Sequence, residues 1–284
     1  MNRLPGGRVK FVKMSGAGND FILIDHREEF LEGSDLATFA RLVCRRRFSV
    51  GADGLILIEK SDEADFKWQF FNADGSVAEM CGNGARCAAR FAFTYGIAPR
   101  RMRFSTLAGV IEAEVSGEQV RLNMSTPKAL QLDQQLSVDD DTFIVHGVNT
   151  GVPHVVVLVE DVAAVDVKAL GRALRFHEAF QPAGTNVNIV QAERDHLRVR
   201  TYERGVEGET LACGTGCVAA ALIAACKLEF KAPVRVIPSG GVALEVSFER
   251  REASLVAENV TLKGPAHLVY KGELTDEALI DPDA

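Results

Sequence analysis

The sequence predicts two related domains of mixed α/β (α+β) class, and three observations carry that prediction. A short phrase, Cys-Gly-x-Gly, occurs twice, as Cys81-Gly82-Asn83-Gly84 and Cys213-Gly214-Thr215-Gly216, 132 positions apart. The Gly turn and apolar run from Lys13 to Asp25 matches Asn149 to Val159, with Asp20 opposite His154 at an offset of 134. Gly51-Ala52-Asp53-Gly54 matches Gly184-Thr185-Asn186-Val187 at an offset of 133. Solenoid repeats run to roughly 20–50 residues, so a period this long points to a duplicated domain.

The elements follow in the same order in both halves. Phe21 to Ile24 is apolar and β-favouring, and Ser34 and Asp35 suit the cap of a helix with Leu36, Phe39, Ala40 and Val43 on one stripe. Leu55 to Ile58 and Phe66 to Phe71 read as strands, and Asn72-Ala73-Asp74-Gly75-Ser76 as a turn. Gly84 to Tyr95 is a small-residue helix stopped by Gly96. Met102 to Phe104, Gly109 to Val115 and Gln119 to Met124 form a meander. Ser125 to Asp141, acidic and Gln-rich with Pro127, is the expected boundary, with surface strand allowed for within part of it.

In the second half Val155 to Val159, Asn186 to Gln191 and Leu197 to Tyr202 are strands, and Val167 to Arg175 is a helix. A second small-residue helix runs from Thr215 to about Leu228. Val234 to Ile237, Val242 to Phe248 and Leu255 to Leu262 are strands, with a tight turn at Ser239-Gly240-Gly241. The expected domains are therefore 1–126 and 127–268, with a strand near 269–274 returning to the first. Thr275 to Ala284 is expected to be a loose acidic tail.

Composition narrows the function classes. With 284 residues, 47% hydrophobic and 25% charged, the chain is long enough for two cores and ordinary for a globular protein. A net charge of −7 argues against a nucleic-acid partner. Arg45-Arg46-Arg47 reads as a solvated helix end. No run approaches the roughly 20 apolar residues that span a bilayer. Met1 to Lys10 lacks the apolar core of a signal peptide, so the expected location is the cytoplasm. Six cysteines in a chain this size are no disulfide scaffold, and their spacing matches no usual zinc pattern. Cys44, Cys87, Cys217 and Cys226 read as packing residues.

Cys81 and Cys213 differ from those four. A thiol at a Gly turn that opens a helix sits where a thiolate is stabilised and where backbone N–H groups receive anions. Gly82, Asn83, Gly214 and Thr215 suit a cradle for a carboxylate. Two such sites fit an acid and a base acting on opposite faces of one carbon, which inverts it. Taken alone, His154 reads as a hydrogen-bonded structural histidine, and Glu203-Arg204 as a surface ion pair. The repeat position of His154, and the nearness of Glu203 and Arg204 to Cys213, favour a role in the site. A thiol-redox protein would use Cys-x-x-Cys, which is absent here. A non-catalytic amino-acid-binding module explains the helix mouths but not a cysteine at each.

The segments Lys13 to Phe21, Phe71 to Arg90 and Tyr202 to Gly216 resemble the diaminopimelate epimerases, and the resemblance covers nearly the whole chain. It implies a barrel-like mixed sheet around a central helix in each half, with the active site in the interdomain cleft, and a homodimer. It implies LL- to meso-diaminopimelate epimerisation by a thiol/thiolate pair, in lysine and peptidoglycan precursor synthesis. No metal, nucleotide or pyridoxal phosphate takes part in that chemistry. Cys81 and Cys213 match the acid/base residues, and His154 and Glu203 the supporting groups. Asn19, Asn72, Asn186 and Arg204 match substrate ligands, with Gly82-Asn83 and Gly214-Thr215 as the cradle. Val152 and Gly54 stand where some relatives carry Asn and Gln. Proline and hydroxyproline epimerases share the paired-cysteine plan, but commonly carry His in the position of Asn83.

Overall fold

The computed structural model describes residues 8–30, 36–138, 141–250 and 257–281. The chain divides into two compact units, Met1–Leu122 with Pro265–Ala284, and Asn123–Gly264.

The first unit holds strands β1 (Val9–Gly16), β2 (Asn19–Asp25), β3 (Gly54–Glu59), β4 (Phe66–Asn72), β5 (Arg101–Thr106), β6 (Gly109–Ser116) and β7 (Gln119–Asn123). Helices α1 (Leu36–Val43) and α2 (Gly82–Thr94) lie between them. Neighbouring strands pair in chain order, parallel at β2–β3 and β4–β5 and antiparallel elsewhere. Each parallel step needs a crossover, and α1 and α2 supply the two. Every residue of β3 is buried, because both faces of the sheet are covered there. Leu55 and Leu57 join the α1 core, whereas Ile56 faces Gly84 of α2. Helix α2 packs against β1, β2, β3 and β6, so the sheet wraps around it. Its buried residues are mostly small, with Gly84, Cys87 and four alanines among them, which lets the strands come close.

The second unit repeats this plan with β8 (Lys128–Val138), β9 (Asp141–Asn149), β10 (Pro153–Val159), α3 (Val167–Arg175), β11 (Asn186–Ala192) and β12 (Leu197–Glu203). There follow β13 (Gly208–Thr210), α4 (Gly214–Lys227), β14 (Val234–Pro238), β15 (Leu244–Arg250) and β16 (Ala257–Pro265). Again two parallel steps, β10–β11 and β12–β14, interrupt an antiparallel series. Helix α4 packs against β9, β10, β11, β12, β14 and β15. Gly216 to Ala225 are all buried, as suits a helix that is apolar all round. The last strand, β17 (His267–Leu274), pairs with β1 in the first unit. It occupies there the position that β8 holds beside β9.

Two local expectations need correcting, and one gains definition. The surface strand expected within Ser125 to Asp141 is β8, which takes up most of that segment. That strand is largely exposed and its register shifts twice, so its sequence lacks clean alternation. The segment around Lys13 is strand β1 rather than turn; only Ala17 and Gly18, both at positive φ, make the hairpin. The C-terminal segment docks instead of hanging loose. Asp276–Leu279 forms a 3₁₀ turn, Leu279 enters the α1 core at 8% exposure, and Asp281 pairs with Arg41 at 2.7 Å. The expected capping residues Ser34 and Asp35 lie outside the described residues. Among the described residues no helix is long and apolar enough to cross a membrane.

Candidate active site

In each unit the central helix begins with a cysteine. Cys81 is the N-cap of α2 (φ −145°, ψ 119°) and Cys213 the N-cap of α4 (φ −113°, ψ 110°). Both are extended, as a residue entering a helix must be. The unpaired N–H groups of the first helical turn follow at once, at Gly82-Asn83 and Gly214-Thr215. Cys81 is partly exposed and Cys213 is 7% exposed. By contrast, burial pushes the Cys44 and Cys87 thiols up to about 12, which removes both from acid/base work near neutrality.

In the first unit, Asn19 heads β2 just after the hairpin. Gly16, on the other side of that hairpin, lies so close to α2 that a Cβ there would stand 2.6 Å from Asn83 O. This approach lets Asn83 Nδ2 donate to Asn19 Oδ1 at 2.8 Å. Asn19 Nδ2 donates in turn to Asp53 Oδ2 at 3.0 Å. At the other end the buried guanidinium of Arg86 donates to Asn83 Oδ1 at 2.6 Å and to the Gly16 and Pro265 carbonyls. Arginine only donates and carboxylate only accepts, so both amides are fixed in one orientation. Asp53 and Asp20 are bridged by Arg46, and Lys13 pairs with Asp20 at 2.7 Å. Burial raises the Asp20 carboxyl, but hydrogen bonds from Arg46 and Lys13 outweigh it and hold the group below its ordinary range. Asn72 ends β4 opposite Gly54, and its amide donates to Ser76 Oγ at 3.0 Å.

In the second unit, His154, the second residue of β10, lies directly opposite Asn186, which opens β11. His154 Nε2 lies 2.9 Å from Thr215 Oγ1, and that hydroxyl lies 3.5 Å from Cys213 Sγ. Thr150 Oγ1 donates to the Thr215 carbonyl at 3.0 Å and steadies the first turn of α4. Burial, then the Arg204 charge, push His154 down to about 3, so the ring is neutral near pH 7. Asn186 Nδ2 donates to Pro153 O at 3.1 Å, and Asn186 Oδ1 accepts from the Arg204 N–H at 2.8 Å. The Arg204 guanidinium donates to Ala183 O at 3.0 Å. Glu203 ends β12, and burial pushes its carboxyl up.

The expected residues therefore gather as two matched sets. Asn19 and Asn83 are bonded to each other, with Asn72 at the same end of the β2-β3-β4 ribbon and Cys81 heading the helix. Cys213, Thr215 and His154 form one chain of contacts, with Asn186, Glu203 and Arg204 at the matching end of β10-β11-β12. Sequence reading missed the residues that hold these sets in place, namely Lys13, Arg46, Asp53, Arg86, Asn188 and Thr201. Arg86, one of two arginines in an alanine-rich helix, offered a signal. Arg46 did not; half-exposed, it still bridges two carboxylates. Among the described residues no group of three or more His, Cys, Asp or Glu could hold a metal ion.

Comparison with known proteins places the chain in a family. A family model described as diaminopimelate epimerase matches residues 11–130 and 147–269. A curated diaminopimelate epimerase from Aquifex aeolicus is 50% identical over 95% of this chain and 99% of its own. One from Methanocella arvoryzae is 41% identical over 94% and 97%. Among solved structures, a hydroxyproline epimerase from Agrobacterium vitis matches with a TM-score of 0.69 at 16% identity, over 97% of this chain and 94% of that one. A PhzF-family phenazine biosynthesis protein from Bacillus anthracis matches at 0.67 and 15%, over 94% and 99%. At such identities the likeness is one of fold.

Proposed function

The chain belongs to the diaminopimelate epimerase family, an isomerase family, and from that premise we propose that it interconverts LL- and meso-diaminopimelate by passing a proton between two cysteines. The observation that supports this most is the doubled one, a cysteine capping the central helix of each unit at the same end of matched strands.

The α-hydrogen of an amino acid is a very weak acid. Without a cofactor to delocalise the carbanion, its removal needs a well-placed base and fixed electrostatic support. In our reading one cysteine, as thiolate, takes the α-proton, and the other, as thiol, donates its own to the opposite face. The centre inverts, no electrons leave the system, and the two sulfurs exchange roles for the reverse reaction. The N–H groups of Gly82-Asn83 and Gly214-Thr215 receive the α-carboxylate and the negative charge that builds on it. Arg204 suits the distal carboxylate, and Asn19, Asn72 and Asn186 orient the polar ends. His154 and Glu203 support the second thiol, His154 as a neutral hydrogen-bonding group. On the family resemblance we assign the reaction to lysine and peptidoglycan precursor synthesis, in a cytoplasmic homodimer that needs no cofactor.

The test is to supply LL-diaminopimelate in the presence of a chelator and with no added cofactor, and to follow the stereochemistry of the product. A mixture of LL and meso forms is expected, with free L-proline recovered unchanged under the same conditions. Unchanged LL-diaminopimelate, or racemised proline, contradicts the proposal.

A further inference from the structure

Behind the second helix mouth lies a buried residue that the reaction scheme leaves unused. Asn188 is 0% exposed, on β11. Its Nδ2 lies 3.0 Å from the Val155 carbonyl and 3.1 Å from His154 Nδ1. A backbone carbonyl only accepts, so the atom facing it is the amide nitrogen, and the amide orientation follows. Thr201 completes the arrangement by donating its hydroxyl to Asn188 Oδ1 at 3.1 Å. Gly216 makes room for it, since a Cβ there would stand 2.3 Å from Asn188 Oδ1.

We propose that Asn188 is a positioning residue that fixes the tautomer of His154 and, through it, aims the Thr215 hydroxyl hydrogen at the sulfur of Cys213. With an N–H of Asn188 directed at it, Nδ1 is the bare acceptor and the ring proton sits on Nε2. Nε2–H then donates to Thr215 Oγ1. That hydroxyl, already accepting from the ring, turns its own hydrogen toward Cys213 Sγ. The result is a one-way series of donors, Asn188 to His154 to Thr215 to Cys213, that ends on a sulfur best able to accept when it is thiolate. The burial that keeps the ring neutral agrees with this, because an imidazolium would repel the Asn188 donor.

The inference rests on the epimerase reading for the role of Cys213, but its test needs no substrate, so the two can fail separately. In full-length protein labelled with ¹⁵N-histidine, with His154 assigned by the His154→Gln spectrum, the ring should be neutral with the proton on Nε2 near pH 7. A proton on Nδ1, or on both nitrogens, overturns the proposal. Alkylation of Cys213 by iodoacetamide, resolved by peptide mass spectrometry, gives a second reading. Asn188→Leu and Thr215→Val should each slow it about 10- to 150-fold, the range expected for loss of a hydrogen bond to a charged acceptor. Thr215→Ser should retain the original rate. Because both variants break one series, the double variant should be no slower than the slower single one. Rates that multiply, or an unchanged rate in Asn188→Leu, overturn it.

Discussion

His154 carries a consequence for stability that is separate from its place in the reaction. Its ordinary value is 6.5 and burial lowers it to about 3, so the native ring refuses a proton that the unfolded chain accepts. Between those values the unfolded state binds more protons, and stability falls as pH falls. From about pH 6.5 to about pH 4.5 the loss from this one group is on the order of 2 kcal/mol. Urea unfolding at the two pH values should show a smaller loss in His154→Gln by about that amount. Equal losses in both proteins would mean that the ring is protonated in the folded state after all. Lone residues of this kind are hard to read in a sequence. His154 stood out only because Asp20 occupies its repeat position, and nothing in Asn186-Val187-Asn188 marked the second asparagine as the buried one behind the ring.

At the scale of elements, the strongly apolar segments were legible and the half-exposed ones were not. Strands β3 and β11 are fully or mostly buried, and helices α2 and α4 are built from small residues; composition alone identifies them. Strand β8 was legible only as surface strand without bounds, because backbone pairing with β9, rather than a buried face, holds it. The C-terminal turn escaped for another reason. Asp276 and Glu277 give it the look of a solvated tail, while Leu279 anchors it in the core beside α1. Leu279→Ala should therefore cost about 2–4 kcal/mol, as a buried leucine does, measured by denaturant unfolding. A cost below about 0.5 kcal/mol, the usual size of a surface substitution, would mean that the segment does not dock.

For the molecule as a whole, the decisive feature is repetition. Two units share one strand order, one pattern of parallel and antiparallel pairing and one cysteine-capped central helix, and the chain is 50% identical to a curated diaminopimelate epimerase. The duplication was visible in the spacing of a few glycines and cysteines. The exchange that lets the final strand complete the first unit rests on pairing between distant segments, which residue patterns record only faintly. If each unit contributes one of two proton-transfer groups, neither half can invert the substrate by itself. The most direct measurement is α-deuterium incorporation in deuterated water by the Cys81→Ser and Cys213→Ser variants, starting separately from LL- and meso-diaminopimelate. Each variant should lose inversion by at least about 100-fold, the lower range for removal of an acid/base group, with residual exchange that depends on which stereoisomer is supplied. Full inversion in either variant, or identical damage from both stereoisomers in both variants, would contradict a two-sulfur mechanism.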